Sequence, residues 1–367
     1  MGNDSLRIGV IGVGFGATVQ IPAFQSEGVE VAAVCARRKE RAQEASERFA
    51  IPGIYDDYHE MLRDPQINAV SIVSPIPLHY PMTIAALDAG KHVLCEKPFA
   101  LNQIQAREMW QKSESTGLTS MIAHEFRFAS ARMRVKELID EGYLGQLNMV
   151  LMSLVNGPRR VSAPRPFTDR DDANQGGGFL WGLGSHYIDC LRHWFGDITS
   201  VSGQVFTHLG ERISPDSLVE TQATADDTFT FTLRFTQGGW ATMTGTNAAP
   251  FGPGASVQIY GRDGTLVTPH QNTGVNPPPH GTLLGAKAGD DTMTEMPIPK
   301  RLEPFTDERD VRLMPFRLLV RKFMRGIQDG TSPAPNFYDG FRCQQILDAV
   351  RTSSATGNVV HIPQDVN

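Results

Sequence analysis

The chain has 367 residues, of which 40% are hydrophobic and 20% charged, and its formal net charge is −6. This length favours two domains, the composition excludes a globally disordered chain, and the acidic balance disfavours a general nucleic-acid-binding protein. No apolar run is long enough to span a bilayer and the N-terminus lacks a basic signal region, so we expect a cytoplasmic protein without membrane contact.

Four short apolar runs alternate with helix-like segments along the first third of the chain. The runs, interpreted as buried strands, cover residues 6–11, 29–34, 69–73 and 92–94, and the helices cover 17–27, 39–49, 58–63 and 80–89. Strands that alternate with helices are typical of βαβ units in a parallel sheet. We therefore predict an α/β fold that starts with a doubly wound Rossmann domain over residues 1–124.

The pattern changes near residue 125. A predicted helix at 131–141 is followed by longer strand-like stretches at 146–155, 200–207, 228–236, 239–246 and 255–261. Residues 228–236 alternate strictly, which predicts a strand with one buried and one wet face. Residues 125–367 are thus expected to form an α+β domain with an open, largely antiparallel sheet. Residues 268–300 are interpreted as a long loop or lid, and the C-terminal helices, about 335–355, are expected to pack back towards the first domain.

A glycine-rich loop follows the first predicted strand. Gly12, Gly14 and Ala17 match the pattern G-x-G-x-x-A, with Phe15 and Gly16 between them. Gly12 permits a tight turn, Gly14 lets the backbone approach a pyrophosphate, and Ala17 is small enough for close helix packing. A loop of this kind between a strand and a helix predicts dinucleotide binding rather than a plain turn.

The end of the second predicted strand bears on the choice of dinucleotide. An NAD-binding protein places a carboxylate there for the ribose 2′-hydroxyl, whereas this chain has Cys35-Ala36-Arg37-Arg38-Lys39. Arg37 and Arg38 can hold a 2′-phosphate by forked, charge-assisted hydrogen bonds. A solvated basic turn is the alternative for these two residues. We expect NADP as the preferred cofactor, with NAD as the other candidate.

Glu96 and Lys97 leave the strand predicted at 92–94 and are followed by Pro98. The carboxyl end of a strand is where ligands bind in such folds. Lys97 can polarise a hydroxyl or carbonyl that exchanges hydride, and Glu96 can hold Lys97 or the nicotinamide ribose. These two residues alone are equally compatible with a surface ion pair.

Several motifs together resemble the Gfo/Idh/MocA oxidoreductase family, which includes glucose–fructose oxidoreductase and inositol dehydrogenases. They are the glycine loop, Ser74-Pro75-Ile76-Pro77-Leu78-His79, Gly90-Lys91-His92-Val93-Leu94-Cys95-Glu96-Lys97-Pro98, Gly176-Gly177-Gly178 and Gly184-Ser185-His186-Tyr187-Ile188-Asp189. The resemblance implies a Rossmann domain followed by an open-sheet domain. It implies that Ser74, Pro75, His79, Glu96 and Lys97 lie along the cofactor. It also implies a sugar, polyol or cyclitol substrate and a homodimer or homotetramer.

The chain departs from this family at one position. Members of the inositol dehydrogenase type carry D-x-x-x-H after the glycine triplet, and here Gly182 occupies the aspartate position while His186 is kept. His186 can still act as a general acid and base, because an unperturbed imidazole titrates near neutral pH. Asp189 or a carboxylate among residues 169–172 can replace the missing acid. A packing role is the alternative for His186.

The remaining candidates are weaker. Arg127, Trp181 and Asp189 are candidate substrate contacts, and His124 and Glu125 lie near Arg127 in sequence. The four cysteines form no C-x-x-C pair and the histidines lack metal-ligand spacing, so we predict reduced cysteines and no metal.

The sequence therefore predicts an NAD(P)-dependent oxidoreductase. It would transfer hydride between nicotinamide and a secondary alcohol or ketone of a carbohydrate-like substrate, with Lys97 and His186 as catalytic residues. Two alternatives stay open: a redox-neutral enzyme that retains its cofactor while it cleaves or eliminates from a glycoside, and a non-catalytic dinucleotide sensor.

Overall fold

The computed structural model describes residues 6–157, 165–215, 217–271 and 282–364. The chain divides into two compact units, one formed by Met1–Phe128 with Asp307–Gln344 and the other by Ala129–Thr306 with Gln345–Asn367. The first unit thus includes a segment near the C-terminus as well as the predicted Rossmann domain.

The helices and strands of the described residues are as follows. The α-helices are α1 (Ile21–Ser26), α2 (Lys39–Phe49), α3 (Tyr58–Arg63), α4 (His79–Asp88), α5 (Gln103–Thr116), α6 (Ser130–Asp140), α7 (Ser185–Phe195), α8 (Leu313–Asp329) and α9 (Phe337–Thr356). The strands are β1 (Arg7–Ile11), β2 (Glu30–Cys35), β3 (Gly53–Tyr55), β4 (Ala69–Ile72), β5 (His92–Cys95), β6 (Ser120–Ile122), β7 (Leu147–Val155), β8 (Arg165–Pro166), β9 (Ile198–Phe206), β10 (Glu211–Ile213), β11 (Glu220–Gln222), β12 (Thr228–Phe235), β13 (Trp240–Thr246), β14 (Gly254–Gly261), β15 (Gly264–Gln271), β16 (Leu284–Lys287), β17 (Thr294–Glu295) and β18 (Val360–His361).

The first unit contains a six-stranded sheet in the order β3-β2-β1-β4-β5-β6. Every neighbouring pair in it is parallel, which confirms the predicted doubly wound sheet. The core strands β1, β2 and β4 are almost entirely apolar because helices cover both faces of a parallel sheet. Strands β3 and β6 fall outside the predicted set, since three residues are too few to give a periodic signal.

Helix α8 completes the core of the first unit. Its buried residues Phe316, Leu319, Val320 and Phe323 follow helical spacing and join the apolar cluster around β1 and α1. The ring of Phe316 meets that of Phe24 on α1 edge to face, with the ring centroids 6.4 Å apart. This packing explains why a segment distant in sequence belongs to the dinucleotide-binding fold.

The second unit contains a nine-stranded sheet in the order β17-β16-β15-β14-β7-β13-β12-β9-β18. Its pairs are antiparallel except for β7 with β13, so the predicted open, largely antiparallel sheet is confirmed. Strand β12 alternates as predicted: its apolar residues are buried, and its threonines meet those of β13 on the other face. The turn Gln237-Gly238-Gly239 joins these two strands.

One structural expectation is wrong in part. Residues 268–300 were predicted to form a long loop, but β15 extends to Gln271 and β16 and β17 add to the same sheet edge. Strands β16 and β17 have few apolar residues, so backbone pairing within the sheet, rather than burial of side chains, holds them in place. Residues 272–281 lie outside the described residues.

Two further observations concern the chain as a whole. All four cysteines are free and buried, as predicted. Among the described residues, no helix is long and apolar enough to cross a membrane.

Candidate active site

Polar and glycine residues collect at one edge of the first unit's sheet. The glycine loop follows β1, Ser74 follows β4, Glu96 and Lys97 follow β5, and Glu125 follows β6. Neighbouring parallel strands end at the same edge, so the register of β1, β4, β5 and β6 brings these segments side by side. The carboxyl edge is where an open α/β sheet binds its ligand.

The glycine loop has the local geometry that a pyrophosphate cradle requires. Gly12 has φ +111° and donates its N–H to the Cys35 carbonyl at 2.8 Å. A Cβ on Gly12 would lie 2.4 Å from the Val73 carbonyl oxygen, whereas a Cβ on Gly14 would meet no atom within 4 Å. The tight turn therefore excludes a side chain at Gly12, and the exposed backbone at Gly14 is open to a ligand.

Close packing of the following helix depends on Gly16 more than on Ala17. A helical turn, Gly16–Gln20, leads directly into α1. Gly16 is buried, and a Cβ there would lie 3.0 Å from the Val73 side chain, whereas Ala17 is only partly buried. Phe15 packs edge to face on Phe316, with the centroids 6.5 Å apart.

Arg37 and Arg38 lie at the end of β2, immediately before α2, and both side chains are exposed. Within the described part of the chain, neither guanidinium makes a hydrogen bond or an ion pair. Two acids, Asp57 and Asp56, also lie near this edge. Burial raises the pKa of Cys35 to about 12, and the charges of these two acids add to the shift. Both signs of charge therefore lie beside the position where a ribose would bind.

Glu96 is held in a buried hydrogen-bonded chain. Its Oε1 accepts from Gln20 Nε2 at 2.8 Å, and Gln20 Oε1 accepts from Ser71 Oγ at 2.6 Å. Its Oε2 accepts from the Lys97 backbone N–H at 3.1 Å. Burial raises the pKa of Glu96, and the Lys97 charge and the Gln20 hydrogen bond oppose that shift. Glu96 is only 6% exposed, and its hydrogen bond from the Lys97 N–H supports this segment from the protein interior.

Glu125 adds a second buried carboxyl group next to Glu96. Burial raises the pKa of Glu125 to about 8, and the charge of Glu96 adds to the shift. The charges of Lys97 and Arg312 oppose it. Two carboxyl groups, a lysine and an arginine thus act on one another electrostatically at the ends of β5 and β6.

Ser74 and His79 lie in the segment after β4, with Pro75 exposed between them. His79 is buried, and its ring nitrogens face two backbone carbonyls, those of Pro98 and Ser74. Arg127 is also buried, and its guanidinium lies 3.7 Å from the Asp339 carboxylate in the same unit. That ion pair favours a structural role for Arg127 over a substrate contact.

The second unit positions His186 at the start of α7. A helical turn, Leu180–Gly184, precedes α7, and His186 is 2% exposed. Apart from the backbone of its own helix, no described atom lies within 4 Å of a Cβ built on Gly182. The position where inositol dehydrogenases carry an aspartate therefore has room for a side chain.

Trp181 and Asp189 are completely buried. The Arg351 guanidinium carbon lies 4.0 Å from the centre of the Trp181 ring, so an arginine covers a face of the ring that a sugar would need. Asp226 Oδ2 accepts from the Leu180 N–H at 2.8 Å, which anchors the start of the turn that leads to His186. Burial raises the pKa of Asp226 to about 6.

Two of the three acids among residues 169–172, Asp171 and Asp172, are engaged in local contacts, whereas Asp169 is exposed. Asp171 accepts from Arg165 at 2.6 and 2.8 Å and from Arg212 at 2.8 Å, and it is 2% exposed. These contacts outweigh burial and lower the pKa of Asp171 to about 2. Asp172 accepts from the Asn174 N–H. Both carboxylates therefore stabilise local structure, and neither is available to replace the aspartate missing at Gly182.

No group of three or more histidine, cysteine or acidic residues in the described structure is arranged to hold a metal ion. The donor set at the sheet edge instead suits an anionic, hydrogen-bonding ligand such as a dinucleotide.

Comparison with known proteins identifies the fold and the family together. Residues 6–124 match "Oxidoreductase family, NAD-binding Rossmann fold", and residues 133–267 match the Gfo/Idh/MocA C-terminal domain. An oxidoreductase of Synechocystis whose function is uncharacterised is 30% identical over 363 residues, which cover 98% of this chain and 97% of the relative. The chain belongs to the Gfo/Idh/MocA oxidoreductase family.

Two further relatives extend the comparison. The D-glucoside 3-dehydrogenase of Escherichia coli is 31% identical over 65% of this chain and 69% of its own length. A levoglucosan dehydrogenase solved with NADH and L-sorbose has the same fold, with a TM-score of 0.87 and 23% identity over 99% of this chain and 100% of its own. As a member of the Gfo/Idh/MocA family, the chain is an NAD(P)-dependent oxidoreductase.

Four residues that contact or act electrostatically on the candidate residues of either unit were not predicted from the sequence. They are Gln20 and Arg312 in the first unit, and Asp226 and Arg351 in the second. Gln20 is the most accessible to sequence reasoning, because it is a polar residue on the apolar side of the helix that follows the loop. Arg312 and Arg351 are distant in sequence from their partners, and no local pattern indicates such contacts.

Proposed function

We propose that this protein transfers hydride between NAD(P) and a secondary alcohol or ketone of a sugar, polyol or cyclitol-like substrate. The observation that carries the proposal is Lys97, half-buried at the carboxyl end of β5 next to the buried Glu96 and Glu125. When bound, the dinucleotide supplies a nicotinamide carbon that accepts or gives up hydride. The protein must then bind it, orient the substrate oxygen and move one proton.

Each of these tasks has a candidate residue. The backbone of Gly12, Gly14, Phe15, Gly16 and Ala17 binds the pyrophosphate, and Ser74 and Pro75 border the same edge. Lys97 donates a hydrogen bond to the substrate oxygen and stabilises the negative charge that grows there during alcohol oxidation. His186 accepts the hydroxyl proton in oxidation and returns it in reduction.

The substrate class follows from the relatives rather than from a pocket. Relatives of this chain include the D-glucoside 3-dehydrogenase, a levoglucosan dehydrogenase and a myo-inositol 2-dehydrogenase of Thermotoga maritima. All three names describe dehydrogenases of hydroxylated rings. We therefore propose a hydroxylated ring with an unprotected secondary alcohol as the substrate of this chain, and a homodimer or homotetramer as its assembly.

We further propose that NADP is preferred over NAD. Exposed Arg37 and Arg38, with no carboxylate in the same turn, support this choice. Asp57 and Asp56, which follow β3, favour NAD instead, since nearby acids would repel a 2′-phosphate. We expect the hydrogen bonds from two guanidinium groups to a 2′-phosphate to outweigh this repulsion.

The test is a matrix of glucose, methyl glucosides, levoglucosan and inositols against NAD+ and NADP+, with the absorbance of the reduced cofactor as readout. We expect turnover with at least one hydroxylated ring and a higher kcat/KM with NADP+. Absence of reduction across the matrix, in protein that binds dinucleotide, would contradict hydride transfer to free cofactor. Cofactor retained through purification together with that absence would favour the redox-neutral alternative, for which Gly182 leaves room.

A further inference from the structure

His79 lies between two segments of the proposed cofactor-binding edge. Its Nδ1 is 2.9 Å from the Pro98 carbonyl oxygen, and its Nε2 is 3.0 Å from the Ser74 carbonyl oxygen. Pro98 directly follows Lys97, and Ser74 is the second residue after the end of β4. One side chain therefore spans from the catalytic segment to the segment that borders the dinucleotide.

His79 itself is poorly placed to touch a ligand. Its surface is 1% exposed, and both ring nitrogens are directed at backbone groups of its own unit. The residue is also the first of α4, so its backbone is fixed by the helix. Its effect on a reaction must therefore pass through the two segments that it contacts.

The two contacts compete for one proton. A neutral imidazole carries a single N–H, and both partners are carbonyl oxygens that can only accept. Burial lowers the pKa of His79, the Lys97 charge lowers it further, and the carbonyl contacts only partly oppose this, so the neutral ring is favoured. In each tautomer the ring donates to one carbonyl and presents a lone pair to the other.

We propose that His79 is a positioning residue: in one tautomer its Nδ1–H ties the Lys97-Pro98 segment to α4, and in the other its Nε2–H ties the Ser74-Pro75 segment to α4. The tie to Pro98 fixes the backbone on which Lys97 stands. The tie to Ser74 fixes the edge against which the dinucleotide binds. The kinetic consequences of this inference rest on the proposed hydride transfer. The contacts of His79 with the two segments do not depend on the identity of the substrate.

Two amide substitutions separate the ties. The amide nitrogen of asparagine occupies the position of Nδ1, and that of glutamine the position of Nε2. His79→Asn can therefore donate only towards Pro98 and His79→Gln only towards Ser74, so each variant fixes one of the two hydrogen bonds that the wild-type tautomers offer. His92→Asn and His92→Gln are matched controls, because His92 lies at the opposite end of β5, where Nδ1 accepts from the Thr119 N–H.

The first readout is backbone amide hydrogen exchange, which needs no substrate. In peptides covering residues 74–78, we expect exchange to be about tenfold faster in His79→Asn than in His79→Gln, because only the glutamine can donate to Ser74. In peptides covering residues 96–100, the order of the two variants should be reversed. Equal acceleration of both segments in both variants, or no acceleration in either, would overturn the proposal.

The second readout is the division between binding and turnover. We expect kcat to be about tenfold lower in His79→Gln than in His79→Asn, and the dinucleotide Kd to be higher by a similar factor in His79→Asn than in His79→Gln. Variants that change only the melting temperature, as the His92 controls should, would show a purely structural role and overturn the proposal. If wild-type protein shows no hydride transfer while the exchange pattern is as expected, the proposed function fails and the ties stand.

Discussion

At the scale of single residues, Glu125 has the most unusual environment in the first unit. Its carboxyl group is buried beside Glu96, and its pKa is raised to about 8 by that burial first and by the charge of Glu96 second. Near neutral pH it is therefore mostly protonated and can donate a hydrogen bond. In that form it adds no second negative charge next to Lys97, which keeps the lysine available for a substrate oxygen.

This pKa has a consequence for stability. An unfolded glutamate titrates near pH 4.3, so the folded protein holds an extra proton between roughly pH 4.3 and 8. The stability contributed by that proton is fully present below the unfolded pKa and is lost as the pH rises through the folded one. Glu125→Gln keeps a neutral side chain of similar shape, so its free energy of unfolding should fall less than that of the wild type between pH 5 and pH 8.5.

Urea denaturation at both pH values measures the Glu125 effect directly. Glu44→Gln, at an exposed position on α2, is the control and should follow the wild-type pH dependence. Parallel pH profiles for Glu125→Gln and the wild type would show that Glu125 titrates normally.

Arg37 and Arg38 give a second prediction at this scale. Replacement of either by alanine should raise the Kd of NADP+ by about tenfold or more, because a charge-assisted hydrogen bond contributes roughly 1.5–3 kcal/mol. The Kd of NAD+, which lacks the 2′-phosphate, should stay within about twofold of the wild-type value. Calorimetric titration at constant salt gives both constants.

Arg41→Ala is the matched control for this experiment, since Arg41 is exposed one turn further along α2. It should leave both dissociation constants unchanged. An equal rise in the Kd values of NAD+ and NADP+ in the Arg37 and Arg38 variants would contradict a 2′-phosphate site. The two arginines would then be interpreted as a solvated basic turn.

At the scale of elements, the segment before α7 contains two glycines with opposite requirements. Gly178, which precedes the turn Leu180–Gly184, has φ +122°, and a Cβ there would lie 2.3 Å from Asp226 Oδ1. Gly182, within that turn, has an ordinary backbone, and its Cβ direction is open. The fold therefore requires a glycine at position 178 but not at position 182, and we propose that the open space at Gly182 accommodates substrate.

The pair of substitutions tests this distinction. Gly178→Ala should lower the free energy of unfolding by more than about 2 kcal/mol, and Gly182→Ala should raise it by about 0.5–1 kcal/mol because glycine disfavours helical backbone. With the true substrate, Gly182→Ala should raise KM. Thermal and chemical unfolding measure the first effect and steady-state kinetics the second. An unchanged KM in a stabilised Gly182→Ala would show that the open space is not used by substrate.

The elements also show what sequence patterns can and cannot indicate. The bounds of α2 and α3 agree with their predicted ranges because caps and apolar spacing are local signals. Helix α5 was not predicted, since only Ala106, Met109 and Ser113 are buried on its largely polar surface. Strands β16 and β17 were interpreted as loop because their pairing partner β15 lies outside any local window.

At the scale of the whole molecule, the dinucleotide-binding edge could be predicted because its features are contiguous in sequence. Gly12, Gly14 and Lys97 each follow a strand whose apolar run is visible. The buried contacts of His79 with Pro98 and of Arg127 with Asp339 could not be predicted, because no local sequence pattern indicates these partners. The same holds for Trp181, whose ring is covered by Arg351.

The proposed reaction assigns one role to Lys97 in the first unit and another to His186 in the second. The most direct test follows the hydride itself. Reduced cofactor carrying deuterium at the nicotinamide C4 is mixed with ketone forms of the ring substrates, and the products are analysed by mass spectrometry. Wild-type protein should place deuterium on the new carbinol carbon, and Lys97→Ala should do so at least about a hundredfold more slowly. Lys112→Ala, which removes a partly buried lysine on α5 that pairs with Asp88, should match the wild type. Deuterium that stays on the cofactor or passes to water, or full transfer by Lys97→Ala, would contradict the account.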